Sequence, residues 1–481
     1  MQIQIKLCAL MLLSATPVRA ETPLGLHDAI ASAVASNPAL AHATLVLDEA
    51  ESAQLADRGT YDPRLEVQTL AHSERAQPRA LSPLTQLLAN DTIRSSVAIV
   101  KTDEDGSELR VGIGIERDIE TTRLVGNGTH QDFDQHTITP RVEAKLREPL
   151  LGGRRTADAI RDRLAADRDG AKLDREATAA QVLRDVEHAY WQLYLAQQEV
   201  SIRHDATTAG ESQLRQANAE IERGARPRLA AAEIEEELAR RREDELVATG
   251  AVGERSLDLA RLLGIVPTSE LRASDRIGEL DAPKVTTETA PQLRAAEART
   301  RAAAASVVEA DDRTRWQLDA TLTGSLSTPR DRTRAAIDAT AGYGGFVVEL
   351  AVTLRVPLTD RAAEGARVAA HARYLEAGVA RGDAAAELAT EVARWTNRRD
   401  VARQRRDALQ RARELADQNL AAEQNRWERG DTTSYEVLRR QAAVGDARLR
   451  VERAKIDEID ADTALAAATG ELLARRGIRL R

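Results

Sequence analysis

Phe346-Val347-Val348-Glu349-Leu350-Ala351-Val352-Thr353-Leu354-Arg355-Val356-Pro357-Leu358 is the stretch on which the fold turns. Side chains alternate sides along a strand. Phe346, Val348, Leu350, Val352, Leu354 and Val356 therefore share one face, and Val347, Glu349, Ala351, Thr353 and Arg355 the other. A run of about ten residues with one apolar and one polar face suits a transmembrane barrel strand, lipid outside and water inside. A half-buried strand of a soluble sheet has the same alternation, so the period alone leaves both readings open.

Working outward, Leu318, Ala320, Leu322, Gly324 and Leu326 alternate with Asp319, Thr321, Thr323, Ser325 and Ser327. Val142, Ala144 and Leu146 alternate with Arg141, Glu143, Lys145 and Arg147, and Leu65 and Val67 begin a weaker run. The fully charged face of residues 141–147 favours the barrel. Ser96–Lys101 and Leu109–Ile115 flank Asp103-Glu104-Asp105-Gly106, a turn sequence that predicts a further hairpin. Residues 73–92 and 120–136 read as polar loops. An aromatic girdle has little to draw on beyond Trp316, Tyr343 and Phe346.

The chain repeats itself. Leu146-Arg147-Glu148-Pro149-Leu150 matches Leu354-Arg355-Val356-Pro357-Leu358, and Glu222-Arg223-Gly224 recurs as Glu428-Arg429-Gly430. Val186 and Gly264 recur as Val392 and Gly470, and Asn37-Pro38 and Leu65 match Ala290-Pro291 and Leu318. Each half has one order: short helix, strand region, Pro-Leu corner, long helix, glycine turn, long helix. Thr156 to Arg223 contains no proline, which allows a helix roughly 100 Å long at 1.5 Å per residue. Leu183, Val186, Tyr190, Leu193 and Val200, with polar Gln197 filling one step, follow heptad spacing. Leu438, Ala442, Gly445, Leu449, Glu452, Ile456 and Ile459 do the same. The turns are Gly224-Ala225-Arg226-Pro227 and Gly430-Asp431-Thr432-Thr433, with glycine as helix end and Pro227, Thr432 or Thr433 as helix start. Hairpins this long need partners, either the other half or other copies of the chain.

Composition agrees. Of 481 residues, 87 are alanine, the best helix former, and only 12 are aromatic (Phe 2, Trp 4, Tyr 6). Such a chain packs long helices through small side chains. The net charge of -9 without a basic cluster argues against nucleic acid as a partner. Residues 1–20 read as a secretory signal: Lys6 precedes the apolar stretch Leu7 to Ala15, and Val18-Arg19-Ala20 supplies small residues at the cleavage positions. The only cysteine, Cys8, falls inside it, so the mature chain is expected to have neither disulfide nor thiol nucleophile.

Residue by residue, the chain resembles the outer-membrane efflux proteins of the TolC-like family. Leu24 to Leu40 with Asn37-Pro38 resembles the family's opening helix, and Glu148-Pro149-Leu150-Leu151-Gly152-Gly153 its strand-to-helix corner. Val186, Ala189, Tyr190 and Trp191 resemble its V-x-x-A-Y-W motif. Arg429-Gly430, Ser434, Glu436, Val437 and Leu438 resemble its tip motif. Leu259, Leu262, Leu263 and Gly264 resemble the end of the return helix, and Pro357-Leu358, Asp360-Arg361 and Ala369 the second corner.

The resemblance implies a mostly α fold with β: a trimeric transmembrane β-barrel, four strands per chain, continued by a long antiparallel coiled-coil tunnel. It divides the chain into a signal peptide (1–20), an N-terminal helical segment (21–62), a first strand region with the extra hairpin (63–148) and a first helical hairpin (149–266). A linker with the repeat of the opening helix (267–315), a second strand region (316–357), a second hairpin (358–475) and a tail (476–481) follow. It further implies a homotrimer acting as exit duct of a tripartite efflux pump or type I secretion system. The barrel sits in the outer membrane and the tunnel in the periplasm, with an adaptor protein and an inner-membrane transporter as partners. Arg223, Gly224, Arg429, Gly430 and Ser434 would form the adaptor-docking tips. Glu436 and Arg439 would stand at the periplasmic aperture, where the family can carry an acidic pair. Arg439 departs from that pattern, and a Glu436–Arg439 contact would replace repulsion by pairing. The first tip departs as well, with Pro227 and Arg228 where serine or threonine is expected.

No enzyme, cofactor or metal site is expected. His130, Asp132, Asp134 and His136 lack the spacing of a tight ligand set, and Gly112-x-Gly114 lies in a strand without the following helix of a nucleotide loop. The competing reading is a soluble periplasmic coiled-coil scaffold or adaptor. Strand faces separate the two: lipid-facing in a conduit, packed on protein in a scaffold.

Overall fold

A computed structural model describes residues 22–82, 85–126, 129–223, 229–278, 289–342, 344–429 and 431–480. The predicted signal peptide lies outside the described residues. Strand β1 (Thr22–Leu24) leads into helices α1 (Leu26–Ser36) and α2 (Pro38–Gly59). Asn37 separates these two. Its N–H bonds the Ala33 carbonyl and ends α1, while its Oδ1 accepts from the Ala39 N–H at 2.9 Å and caps α2. Four strands follow, β2 (Arg64–Ser82), β3 (Thr85–Thr102), β4 (Glu108–Gly126) and β5 (Thr129–Leu151), then helices α3 (Arg154–Glu222) and α4 (Leu229–Leu263). Next come β6 (Leu271–Ala273), α5 (Pro291–Arg313), β7 (Gln317–Ser327), α6 (Thr333–Ala341) and β8 (Phe346–Arg355). Helices α7 (Arg361–Glu428), α8 (Ser434–Thr469) and α9 (Leu472–Arg475) end the described chain. Helices α3 and α7 have 69 and 68 residues, each about 100 Å at 1.5 Å per residue. Among the described residues no single helix is long and apolar enough to cross a membrane.

The chain divides into two compact units. The first holds residues up to 45, 173–294 and from 384 on, and is helical. Its pairings run antiparallel. On α3 and α4, His204 meets Glu245 and Glu211 meets Arg242; on α7 and α8, Arg405 meets Asp457 and Asp417 meets Arg448. The α3 seam is the core: Leu183, Val186, Tyr190 and Leu193 are wholly buried against Leu259 and Leu263 of α4, Ile456 of α8 and Ala29 and Ala33 of α1. Tyr190 also ties in the short parallel pair β1–β6. Its hydroxyl accepts from the Ser274 and Asp275 N–H groups at 3.2 and 3.0 Å and lies 3.0 Å from the Leu24 carbonyl. A buried aromatic with its polar tip satisfied is thus the joint of this unit.

The duplication shows here as geometry. Gly264 after α4 and Gly470 after α8 both adopt positive φ, 67° and 81°. A Cβ on Gly264 would lie 2.4 Å from the Ser36 carbonyl oxygen, just before Pro38. A Cβ on Gly470 would lie 2.9 Å from the Thr289 carbonyl oxygen and 2.7 Å from Pro291 Cδ. The same close approach of a helix end to an X-Pro helix start occurs twice, and only glycine permits both the φ and the distance. Side chains reinforce it: Asn37 donates to the Leu262 carbonyl at 2.8 Å, and Thr289 to the Thr469 carbonyl at 3.0 Å.

The second unit, residues 46–172 and 295–383, contains one sheet in the order β2-β3-β4-β5-β7-β8, every neighbour antiparallel. Six strands stand where the resemblance implies four. The added pair is β3–β4, the hairpin read around Asp103–Gly106, and it is inserted between β2 and β5. The polar-loop reading of 73–92 and 120–136 is corrected: the described residues there belong to β2, β3, β4 and β5. With polar side chains on both faces they show no period of two, yet the backbone ladder still pairs them. Charges are matched across it: Arg75 with Asp91 at 2.7 and 2.8 Å, Arg123 with Asp132 at 2.7 and 3.0 Å. Strand β5 pairs with β7 only from Arg141 onward, so residues 129–140 continue beyond it for about 40 Å at about 3.3 Å per residue. Helix α6, which carries no strand-like signal, interrupts the region read as strand 316–357. At the other end, the Asp312 carboxylate accepts from the Gly153 N–H at 2.8 Å and the Thr156 hydroxyl at 3.0 Å, fixing the start of α3 against α5.

Candidate functional site

The sheet has two chemically distinct faces, and the register shows which residues share them. Leu65, Ile99, Val111, Ala144, Gly324 and Val348 form one row across all six strands, and Val67, Val97, Ile113, Val142, Leu326 and Phe346 the next. These rows are apolar; Gly324 and Leu326 on β7 are half-buried, and the other large side chains are exposed, from Val97 at 40% to Phe346 at 73%. An apolar surface of this extent marks contact with lipid or protein. On the opposite face Arg94 pairs with Glu116 and Arg110 with Glu66, while Asp319, nearly buried, accepts from Arg147 and Arg355 at 3.0 Å each.

Close approach across the β3–β4 ladder shows which way that hairpin bends. Cβ atoms of directly opposed residues normally lie about 4.5–5.5 Å apart. On the polar face, a Cβ added to Gly112 would lie 2.8 Å from Ala98 Cβ, its cross-strand partner, and one on Gly114 3.3 Å from Ser96 Cβ. On the apolar face, a Cβ on Gly324 would meet nothing within 4 Å. The β3–β4 ladder is therefore drawn together on its polar side at Gly112 and Gly114, whereas Gly324 on the apolar side of β7 has ordinary spacing. Gly112-x-Gly114 thus relieves crowding on the polar side of the hairpin.

At the second tip, Gly430 lies outside the described residues and Ser434 opens α8. Thr433 caps that helix, its hydroxyl accepting from the Glu436 N–H at 3.4 Å. Glu436 and Arg439 are brought together at 3.2 Å on the first turns of α8, with the arginine well exposed. Arg429 lies 3.7 Å from Asp431. Beneath them, a bond from Thr432 and the neighbouring Arg426 hold the Glu423 carboxyl below its ordinary pKa. At the first tip Gly224 lies outside the described residues, and Arg223 turns back to its own helix, donating to the Ala219 carbonyl at 3.1 Å.

The residue that joins the two hairpins is one that sequence reasoning passed over. Arg241 of α4 is buried, donating to the Ala206 carbonyl of α3 at 2.9 Å, to the Leu438 carbonyl of α8 at 3.0 Å and to Glu237 at 3.2 Å. A signal existed. Ile234, Leu238, Arg241, Glu245, Ala248 and Val252 step four-three-four-three-four, which places an arginine in a seam. A second set of contacts lies farther along α8: Glu458 is buried and accepts from Arg403 at 3.1 Å and Arg406 at 2.6 Å, and Asp460 contacts His188 of α3 at 2.7 Å. That carboxylate raises the His188 pKa, aided by Asp185 and opposed by burial and Arg255.

His130, Asp132, Asp134 and His136 fall on alternate positions of β5, with Asp132 engaged by Arg123 and Asp134 accepting from Thr121 at 2.8 Å. Among the described residues no group of three or more His, Cys, Asp or Glu is placed to hold a metal.

Residues 282–471 match the family model described as "Outer membrane efflux protein". That part of the chain is therefore similar to an outer membrane efflux protein domain. The TolC-like resemblance seen in the sequence therefore holds, and solved structures extend the likeness in fold to nearly the whole chain. It is similar to the outer membrane protein VceC of Vibrio cholerae (17% identity, 92% of this chain and 96% of that one, TM-score 0.64). It is also similar to the CmeC outer membrane channel of Campylobacter jejuni (13%, 93% and 86%, 0.64). The open-state MtrE outer membrane channel of Neisseria gonorrhoeae is comparable (16%, 93% and 89%, 0.63). No curated protein matches the chain in sequence.

Proposed function

We propose that this chain is the outer-membrane exit duct of a tripartite efflux pump or type I secretion system, exported by its N-terminal signal and working as a homotrimer. The observation that carries this is the sheet: a charged face, bent inward at β3–β4, opposite an apolar face that runs through all six strands. Lipid covers the second and water fills the first. The polar inner surfaces provide the path, the inner-membrane transporter supplies energy, and no chemical step belongs to this chain. The adaptor docks at the ends of the α3–α4 and α7–α8 hairpins, using Arg223, Gly224, Arg429, Gly430 and Ser434. Glu436 and Arg439 line the periplasmic aperture, where their pairing removes the charge repulsion that two carboxylates per chain would create around the three-fold axis. An exposed pair of this spacing contributes only about 0.2–0.5 kcal/mol to the helix, so its effect on the mouth is electrostatic rather than structural.

The test is the mass of the protein extracted with detergent from outer membranes, followed by conductance in planar bilayers. Three chains per particle and an open-channel current altered by Arg439→Glu are expected. A monomer recovered without detergent from the periplasm would refute the duct and favour the soluble scaffold.

A further inference from the structure

We infer that all six strands stand in the membrane wall, so that three chains close a barrel of eighteen strands rather than twelve. The inference rests on the trimeric duct proposed above. The β3–β4 hairpin could in principle fold out of the wall and leave β2 to pair with β5. Four observations place it in the wall. First, β3 is hydrogen-bonded to β2 along almost its full length, and β4 to β5 likewise, with β2 and β5 kept apart in the sheet order. Second, Ile99, Val97, Val111 and Ile113 fall in the same apolar rows as Val348 and Phe346, at the same height on the sheet. A hairpin outside the membrane or inside a water-filled bore would have no use for that band. Third, the Asp103–Gly106 turn reaches the level where β5 gives way to α3: Glu104 meets Arg161 at 3.0 Å and Asp105 meets Arg154 at 3.7 Å. Fourth, the bend at Gly112 and Ala98 curves the hairpin toward the polar side, the sense that closure requires.

Six is an even number, so the free edges β2 and β8 run in opposite directions. Copies can then join edge to edge with every neighbour antiparallel, leaving no exposed edge in lipid. With strands about 4.8 Å apart and tilted about 40°, the backbone diameter rises from about 24 Å for twelve strands to about 36 Å for eighteen. The wall charges of the added hairpin are already matched, Arg94 with Glu116 and Arg110 with Glu66. The membrane end of this duct is therefore wide and locally neutralised. Solutes too broad for a twelve-strand bore then meet no barrier within the barrel itself.

Single cysteines test this directly, because the only natural cysteine is Cys8. Ile99→Cys, Ile113→Cys, Val348→Cys and Ser325→Cys proteins are spin-labelled and reconstituted in liposomes, and each label's relaxation by oxygen and by a water-soluble nickel chelate is compared. The expected result is that labels at 99 and 113 behave as the label at 348, relaxed by oxygen, whereas 325 is relaxed by the chelate. End-on images of the particle should show a wall about 36 Å across. Chelate-accessible labels at 99 and 113, or a wall of about 24 Å, in a particle that still has three chains would overturn the eighteen-strand wall and leave the duct standing. A chelate-accessible label at 348 with no trimer would overturn both.

Discussion

Arg240, Arg241 and Arg242 are consecutive, yet replacing each by methionine should have three different results. Methionine keeps the apolar stem and removes the guanidinium. Arg240 and Arg242 are 69% and 58% exposed at their side chains, pairing with Glu236 and Glu211, and such pairs contribute at most about 1 kcal/mol. Arg241 is 6% exposed and makes two charge-assisted bonds to carbonyls on other helices. Each such bond contributes about 1.5–3 kcal/mol. Two effects reduce the sum: both carbonyls lie within helices and keep their own N–H donors, and the variant no longer buries a charge. About 2 kcal/mol is then expected for Arg241→Met, which is roughly a 30-fold rise in the opening equilibrium. Because the Leu438 bond holds the start of α8, the assay is amide hydrogen exchange over residues 436–444 of the detergent-solubilised protein, where local opening is read segment by segment. Exchange should rise about 30-fold in Arg241→Met and by less than about 5-fold in the neighbours. An unchanged rate in Arg241→Met, or an equal rise in Arg240→Met, would refute the view that this guanidinium joins the two hairpins.

Gly264→Ala and Gly470→Ala should each cost at least about 1–2 kcal/mol, from positive φ alone, whereas Gly253→Ala, with open space around its Cβ in α4, should gain about 0.5–1 kcal/mol. Thermal midpoints that moved the same way for all three would contradict the duplicated helix-end contacts. Arg476→Ala strips Glu187, almost fully buried, of bonds at 2.7 and 2.5 Å, leaving only the Thr463 hydroxyl at 3.1 Å; the loss should be about 3 kcal/mol, the low end for a broken buried pair because Arg476 is partly exposed. The Glu187→Gln, Arg476→Ala double variant should recover part of it in a denaturant titration, and a double loss equal to the two single losses added would show that the pair is not coupled. The raised pKa of His188 makes its contact with Asp460 stabilising in full below the free imidazole value near 6.5, and that contribution is lost as pH rises through the higher folded value. The imidazole is more than half exposed, so the effect is small; still, the parent should lose stability relative to His188→Gln between pH 6 and pH 9, and the opposite slope would reject the pair.

How far the sequence could carry these conclusions depended on where each residue meets solvent. Residues 318–326 and 346–354 are legible because one face of the strand is polar and the other apolar, which imposes a period of two. The distal halves of β2–β5 carry polar side chains on both faces, so they show no alternation, and 73–92 and 120–136 resemble loops although backbone pairing holds them as strands. The helical seams through Leu183 and Leu438 are legible for the same reason as the strands. Arg241 lies in such a seam but is masked by two surface arginines of identical chemistry, and only the step from Leu238 tells them apart. Glu436 and Arg439 needed no tertiary information, since three residues on a helix bring them into contact whatever surrounds it. Strand number is the opposite case. Alternation assigns faces to a strand but says nothing of its neighbours, and the hairpin at Asp103–Gly106 reads the same whether it lies in the wall or beside it. What distinguishes the two is that Ile99 and Val111 align with Leu65 on one side and Ala144 on the other, a relation among four separate segments. Such a relation exists only in the folded sheet, which is why the proposed strand count rests on the register rather than on the pattern.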